Sequence, residues 1–197
     1  MLDLDRKYES ILSHEEHFAY RLGREVIDKP AVSVWMILLP VLFVHHMYRV
    51  SSYKNGVRAF AGGILEPRQK ALDKAREEVE SGQEREYRLE EYFPYLEFGS
   101  DRDRSLAEKQ VGLIRVLQKH YRGLLKAESG SYQGLLRQVY PAAEQYKLFL
   151  DGLSAAEKEL NRYLTRKVHT SQESRDVVYR MEKCCQDLRK KELRRFF

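Results

Sequence analysis

The chain has 197 residues, of which 43% are apolar and 33% charged, and its formal net charge is +5. This length allows one domain, or one domain with an appendage, and is enough to bury a core without disulfides or metal. The two cysteines, Cys184 and Cys185, are adjacent and cannot easily bridge each other, which excludes a disulfide-stapled fold and favours a reducing compartment.

The positive charge is concentrated in the C-terminal tail. Residues 180–197 contain seven Lys or Arg against three Asp or Glu, whereas residues 1–29 contain five against seven. The surface is therefore not uniformly basic in the way expected of a protein that coats nucleic acid.

The first predicted element is an amphipathic helix over residues 3–28. Its apolar residues recur at steps of three and four, with Glu15 as the one polar residue on that face. Lys29-Pro30 ends it, because the residue before a proline is pushed out of the helical region. The apolar positions are Leu4, Tyr8, Ile11, Phe18, Leu22 and Val26.

An apolar segment follows, with no charge from Ala31 to Val44. These 14 residues suit a buried helix or a re-entrant segment better than a full membrane span. Extension to residues 30–48 gives about 28 Å of helix, barely the thickness of a bilayer core. Aromatic residues near its ends favour a membrane segment, and a buried bundle helix is the alternative. The membrane-associating residues are predicted to be Trp35, Ile37, Leu38, Leu39, Pro40, Leu42, Phe43 and Tyr48.

The basic residues that flank this segment do not select one orientation. Residues 10–29 contain three Lys or Arg and residues 49–68 contain four. Such flanks are expected when both ends stay on the cytoplasmic side and Pro40 bends the segment into a shallow hairpin. A kinked single span is the alternative.

Several helices are predicted beyond this segment. Helical spacing continues through Asn55-Gly56 to Phe60, a break is expected at Gly62-Gly63, and Pro67 is expected to open a charged helix that ends near Ser81-Gly82. Residues 84–98 read as a short helix and a loop. A further helix, capped by Asp101 or Asp103, is predicted to last to about Glu128 and to be followed by a turn at 129–131.

Apolar residues from Ala142 to Tyr163 follow alternating steps of four and three, which is a heptad pattern. Gly152 and the box Ser154-x-x-Glu157 favour the alternative of two helices joined there. A second box, Thr170-x-x-Glu173, opens the last helix. The apolar face of that helix is Val177, Val178, Met181, Cys185 and Leu188.

Because no useful strand-like alternation occurs, the predicted fold class is all-α. We expect an antiparallel helical bundle with coiled-coil-like packing. The N-terminal part, residues 1–62, carries the hydrophobic, proline-kinked segment, and residues 64–197 form the bundle domain.

Motifs for catalysis or metal binding are not found. His14 and His17 are three residues apart, one short of the zincin spacing, and Glu-x-x-His pairs for a di-iron site do not occur. No P-loop, dinucleotide loop or nucleophile elbow occurs either. We therefore expect no catalytic site, no metal and no cofactor.

The basic C-terminal tail is the other candidate binding feature. Its cations and terminal phenylalanines suit an anionic lipid surface, and a solvated helix end is the alternative. The residues are Arg189, Lys190, Lys191, Arg194, Arg195, Phe196 and Phe197.

These patterns predict a non-catalytic, membrane-associated scaffold or interaction protein on the cytoplasmic side. Membrane lipid is the expected partner, and a protein partner or self-association stays open. The alternative is a fully soluble cytoplasmic helical-bundle adaptor, for which nucleic acid bound through the basic tail is one option and not the expected partner. A metal-dependent bundle enzyme ranks third.

Overall fold

The computed structural model describes residues 3–27, 53–95, 99–167 and 172–197. The chain is all-helical in these ranges, which confirms the predicted fold class. The apolar segment over residues 30–48 and Thr170 lie outside the described residues. The helices are α1 (Leu4–Val26), α2 (Tyr53–Ser81), α3 (Leu89–Tyr92), α4 (Asp101–Lys126), α5 (Tyr132–Val139), α6 (Ala143–Lys167) and α7 (Gln172–Phe196).

Helices α1 and α2 pack as an antiparallel pair. Near the start of α1, Asp5 accepts from Arg76 at 2.6 Å. Near its end, a Cβ atom placed on Gly23 would lie 3.3 Å from Val57, so the two backbones approach closely there. The last turn of α1 therefore lies beside the first turns of α2, although residues 27–52 separate them in the chain.

The remaining long helices complete the bundle around this pair. Helix α4 packs on α2, α6 packs on α4, and α7 packs on both α6 and α1. Lys109 of α4 meets Glu159 of α6 at 2.6 Å. The main apolar core runs through the bundle, and a separate, smaller cluster near the end of α1 joins α1, α2 and α7.

The break predicted at Gly62-Gly63 is wrong, because α2 runs without interruption through both glycines and through Pro67. Pro67 has no N–H to donate to the carbonyl four residues earlier, which weakens the helix at that point. Packing against α1 on one side and α4 on the other offsets this loss. The helical reading of Asn55-Gly56 and the end at Gly82, whose φ is +70°, are both confirmed.

The start of α4 differs from the prediction by one residue. Ser100 is the N-cap, and its hydroxyl accepts from the backbone N–H of Asp103 at 3.2 Å. Asp101 and Asp103 instead occupy the first turn, where their charge complements the helix dipole. Helix α5 was not predicted, and its first turn is capped in the same way by Ser131.

Helix α6 is continuous, so of the two predictions for residues 142–163 the single helix is confirmed. The pair of helices joined near Gly152 is wrong. Ser154 and Glu157 do not cap a helix, since both lie in the middle of α6 and their side chains bind Arg189 of α7. The sequence pattern of a capping box is therefore produced here by two residues that form a contact between helices α6 and α7.

Leucines of α6 allow a direct test of this packing. Replacement of Leu153 or Leu160 by Ala should lower the free energy of unfolding by about 2–5 kcal/mol, because each leaves a cavity in the core. Leu148→Ala is the matched control on the same helix, since Leu148 is 71% exposed. Urea denaturation of the three variants measures the difference, and equal losses would contradict the bundle arrangement.

Candidate functional site

Arg68 of α2 lies in the interior and joins three helices. Its side chain is only 5% exposed. Its Nε donates to Glu15 of α1 at 2.9 Å, and its Nη2 donates to Glu157 of α6 at 3.2 Å. Glu15, the polar residue on the apolar face of α1, is therefore placed there to meet a buried cation.

Arg189 of α7 binds the same carboxylate from the other side. Its two terminal nitrogens donate to the two oxygens of Glu157, each at 2.7 Å, and Nη1 also donates to Ser154 at 2.9 Å. This bidentate geometry is the strong form of an arginine–carboxylate pair. Burial alone would raise the pKa of the Glu157 carboxyl, but Arg189 and Arg68 hold that pKa below its ordinary value.

A second polar contact lies further along α1 and α7. Glu192 accepts from the hydroxyl of Tyr146 and lies 3.3 Å from Nε2 of His14. The His14 ring stacks on Tyr132 with 3.7 Å between ring centroids. Although burial opposes it, the contacts with His14 and Tyr146 hold the pKa of Glu192 below its ordinary value.

His120 of α4 is buried among aromatic rings. Its ring stacks on Phe149 with centroids 4.0 Å apart, and its Nδ1 lies 2.9 Å from the hydroxyl of Tyr140. Burial lowers the pKa of His120 to about 3, so this imidazole is neutral at physiological pH.

These buried groups bind one another and so hold the helices in register. Arg68 and Arg189 are balanced by Glu15 and Glu157, and Glu192 is engaged by His14 and Tyr146. A cavity beside the arginines has a volume of about 90 Å³, far below the roughly 300 Å³ at which ligand pockets begin. Within the described ranges, no group of three or more His, Cys, Asp or Glu side chains could hold a metal ion.

The tail residues separate into two sets, and two of the predicted surface residues are wrong. Arg189 is 6% exposed and bound to Glu157, and Phe196 is 7% exposed and packed near His14 and Tyr132, so neither is free to meet a lipid surface. The other predicted residues do lie at the surface: Lys190, Lys191, Arg194, Arg195 and Phe197.

The end of the bundle where α1 stops and α2 starts is the second candidate site. Arg24 and Arg58 are both exposed there, and the thiol of Cys184 lies 3.0 Å from the carboxylate of Glu25. Both cysteines are free, and burial raises the pKa of the Cys184 thiol to about 12. Across the part of the chain that the structure describes, no helix is long and apolar enough to cross a membrane.

Sequence reasoning missed the buried arginines because nothing in their local pattern distinguishes them from solvated cations. Arg68 follows a proline in a charged helix, and Arg189 begins a run of basic residues. The available signal was Glu15, since a carboxylate on an apolar helix face requires a buried partner. Comparison with known proteins adds no assignment, because no protein-family model, curated protein or solved structure matches the chain.

The contribution of the buried Arg189–Glu157 pair to stability can be tested by comparing substitutions at two neighbouring residues of α7. Arg189→Met should lower the free energy of unfolding by about 3 kcal/mol, because it leaves Glu157 only partly compensated in the interior. Lys190→Met is the matched control, since Lys190 is exposed, and its effect should stay within about 0.5 kcal/mol. Urea denaturation measures both, and a small effect at Arg189 would mean that water already reaches the pair.

Proposed function

We propose that the protein is a non-catalytic, membrane-attached helical scaffold on the cytoplasmic side, anchored from one face of the bilayer by the apolar residues between α1 and α2. The observation that carries this proposal is the antiparallel packing of α1 on α2. It brings the residues before and after the apolar segment to the same end of the bundle.

The length of the segment supports attachment from one face. Only 25 residues, 28–52, separate the described ends of α1 and α2. Two helical crossings would need about 40 residues, and a single crossing would carry the chain across about 30 Å of hydrocarbon to the opposite side. A single crossing would separate the packed ends of α1 and α2, whereas attachment from one face keeps them together.

The flanking charges and the cysteines support the cytoplasmic side. Arg24 and Arg58 are exposed next to the start and the end of the segment, and basic flanks are retained in the cytoplasm. Free cysteines are typical of a reducing compartment. The scaffold role is supported by the interior, where the buried charges hold helices in register and are occupied by one another.

Attachment can be tested by flotation of the full chain with phosphatidylcholine vesicles. The wild type should float with the vesicles, and Leu38→Asp combined with Leu42→Asp should remain in the soluble fraction, because each charge opposes insertion by about 3 kcal/mol. Leu148→Asp with Tyr179→Asp is the matched control, since both residues are large, apolar and exposed in the bundle. This control should float like the wild type.

Two outcomes would overturn the proposal. A wild-type chain that stays soluble and monodisperse without detergent favours a soluble adaptor. Equal flotation of the wild type and the Leu38/Leu42 variant means that the bundle surface, and not this segment, holds the lipid.

A further inference from the structure

A groove of about 380 Å³ lies between α1 and α7, where it extends along α1 from Ser10 to Arg21. Three exposed cations line it: Arg21 from α1, and Lys191 and Arg195 from α7. Its size falls within the range of about 300–1,000 Å³ that is typical of small-ligand sites.

In the described part of the chain, the cations of this groove are not paired with carboxylates. No ion pair of Arg21, Lys191 or Arg195 is found among the described residues. The acid that lines the groove is Glu192, and its carboxylate is already bound to His14 and to the hydroxyl of Tyr146. Because three cations outnumber this one carboxylate, the groove keeps a net positive charge that would attract an anion.

The remaining lining fits a compact anion with an apolar portion. Ser10 and Ser13 supply hydroxyl groups on one wall, and Phe18 and Leu188 supply apolar surface. Two arginines and a lysine match the charge of a phosphate group, and the planar fork of arginine suits its oxygens. Hydroxyl groups are common further donors to phosphate.

We propose that this groove is a binding site for a phosphate group, carried either by a small phosphorylated molecule or by the headgroup of an anionic lipid. The residues that line the groove all belong to α1 and α7, so phosphate binding by the groove does not require membrane attachment. It also divides the basic tail, because Lys191 and Arg195 line the groove whereas Lys190 and Arg194 do not.

The difference between basic residues that line the groove and those that do not allows a matched pair of variants. The groove variant carries Arg21→Gln, Lys191→Gln and Arg195→Gln. The control carries Arg6→Gln, Lys190→Gln and Arg194→Gln, three exposed cations on the same two helices that do not line the groove. Both variants lose the same charge, so a general electrostatic attraction would weaken equally in each.

The full chain, held in neutral detergent micelles, should bind inorganic phosphate in a saturable manner by isothermal titration calorimetry. Because the wild type is expected to float with phosphatidylcholine alone, the lipid source is tested in the Leu38→Asp/Leu42→Asp background. Flotation of this background with a two-to-one mixture of phosphatidylcholine and phosphatidylglycerol is compared with flotation with phosphatidylcholine alone. Loss of three charge-assisted contacts should weaken binding about a hundredfold or more in the groove variant, with little change in the control.

The two probes identify the source. Phosphate binding without an effect of phosphatidylglycerol indicates a soluble ligand, and the reverse result indicates a lipid headgroup. Equal losses in the groove and control variants, or no binding of either probe by the wild type, would overturn the proposal. If the wild type binds inorganic phosphate but no vesicles, the proposed membrane attachment is overturned and the phosphate site is retained.

Discussion

The antiparallel packing of α1 on α2 is the constraint on which the rest of the structure depends. The approach of Gly23 to Val57 brings the ends of the two helices together across 26 intervening residues. The same register places Glu15 opposite Arg68, which then reaches Glu157 of α6. A change in this register would separate the buried charges from one another and separate the two attachment points of the apolar segment.

We expect the buried ions to contribute more to specificity than to stability. Removal of charges from water is costly, and a pair such as Glu157 with Arg189 recovers that cost only through good geometry. Four side chains from four helices must meet for Arg68 and Arg189 both to be satisfied. A helix shifted by one turn would leave a charge unpaired in the interior, so the network selects one register of α1, α2, α6 and α7.

Features set by local periodicity were predictable from the sequence, and features set by tertiary contacts were not. The apolar stripes of α1 and α6 identified both helices, and the turn at Gly82 was correctly located. At Gly62-Gly63 and Pro67, packing on both sides outweighed local signals for a break. Ser154 and Glu157 resembled a capping box because a cap and a buried arginine site both use side-chain oxygens that accept hydrogen bonds.

The candidate sites divide in the same way. Composition alone identified the apolar segment and the basic tail as unusual. It could not show that Arg189 and Phe196 face inwards while Lys191 and Arg195 line a groove with Arg21, because that sorting depends on how α7 is rotated against α1. Side chains of successive residues on an α-helix point about 100° apart, so neighbours in the sequence face different surroundings.

The most direct test of this account is the distance between α1 and α2 when the protein is bound to a membrane. Spin labels at Tyr20→Cys and Gly62→Cys, in a background with Cys184→Ser and Cys185→Ala, occupy exposed positions near the close approach of the two helices. Pulsed electron paramagnetic resonance on vesicle-bound protein should give a single distance of about 10–25 Å, since packed helix axes lie about 8–10 Å apart and the labels add their own length. A distance beyond about 30 Å would mean that the bilayer separates α1 from α2, which contradicts attachment from one face.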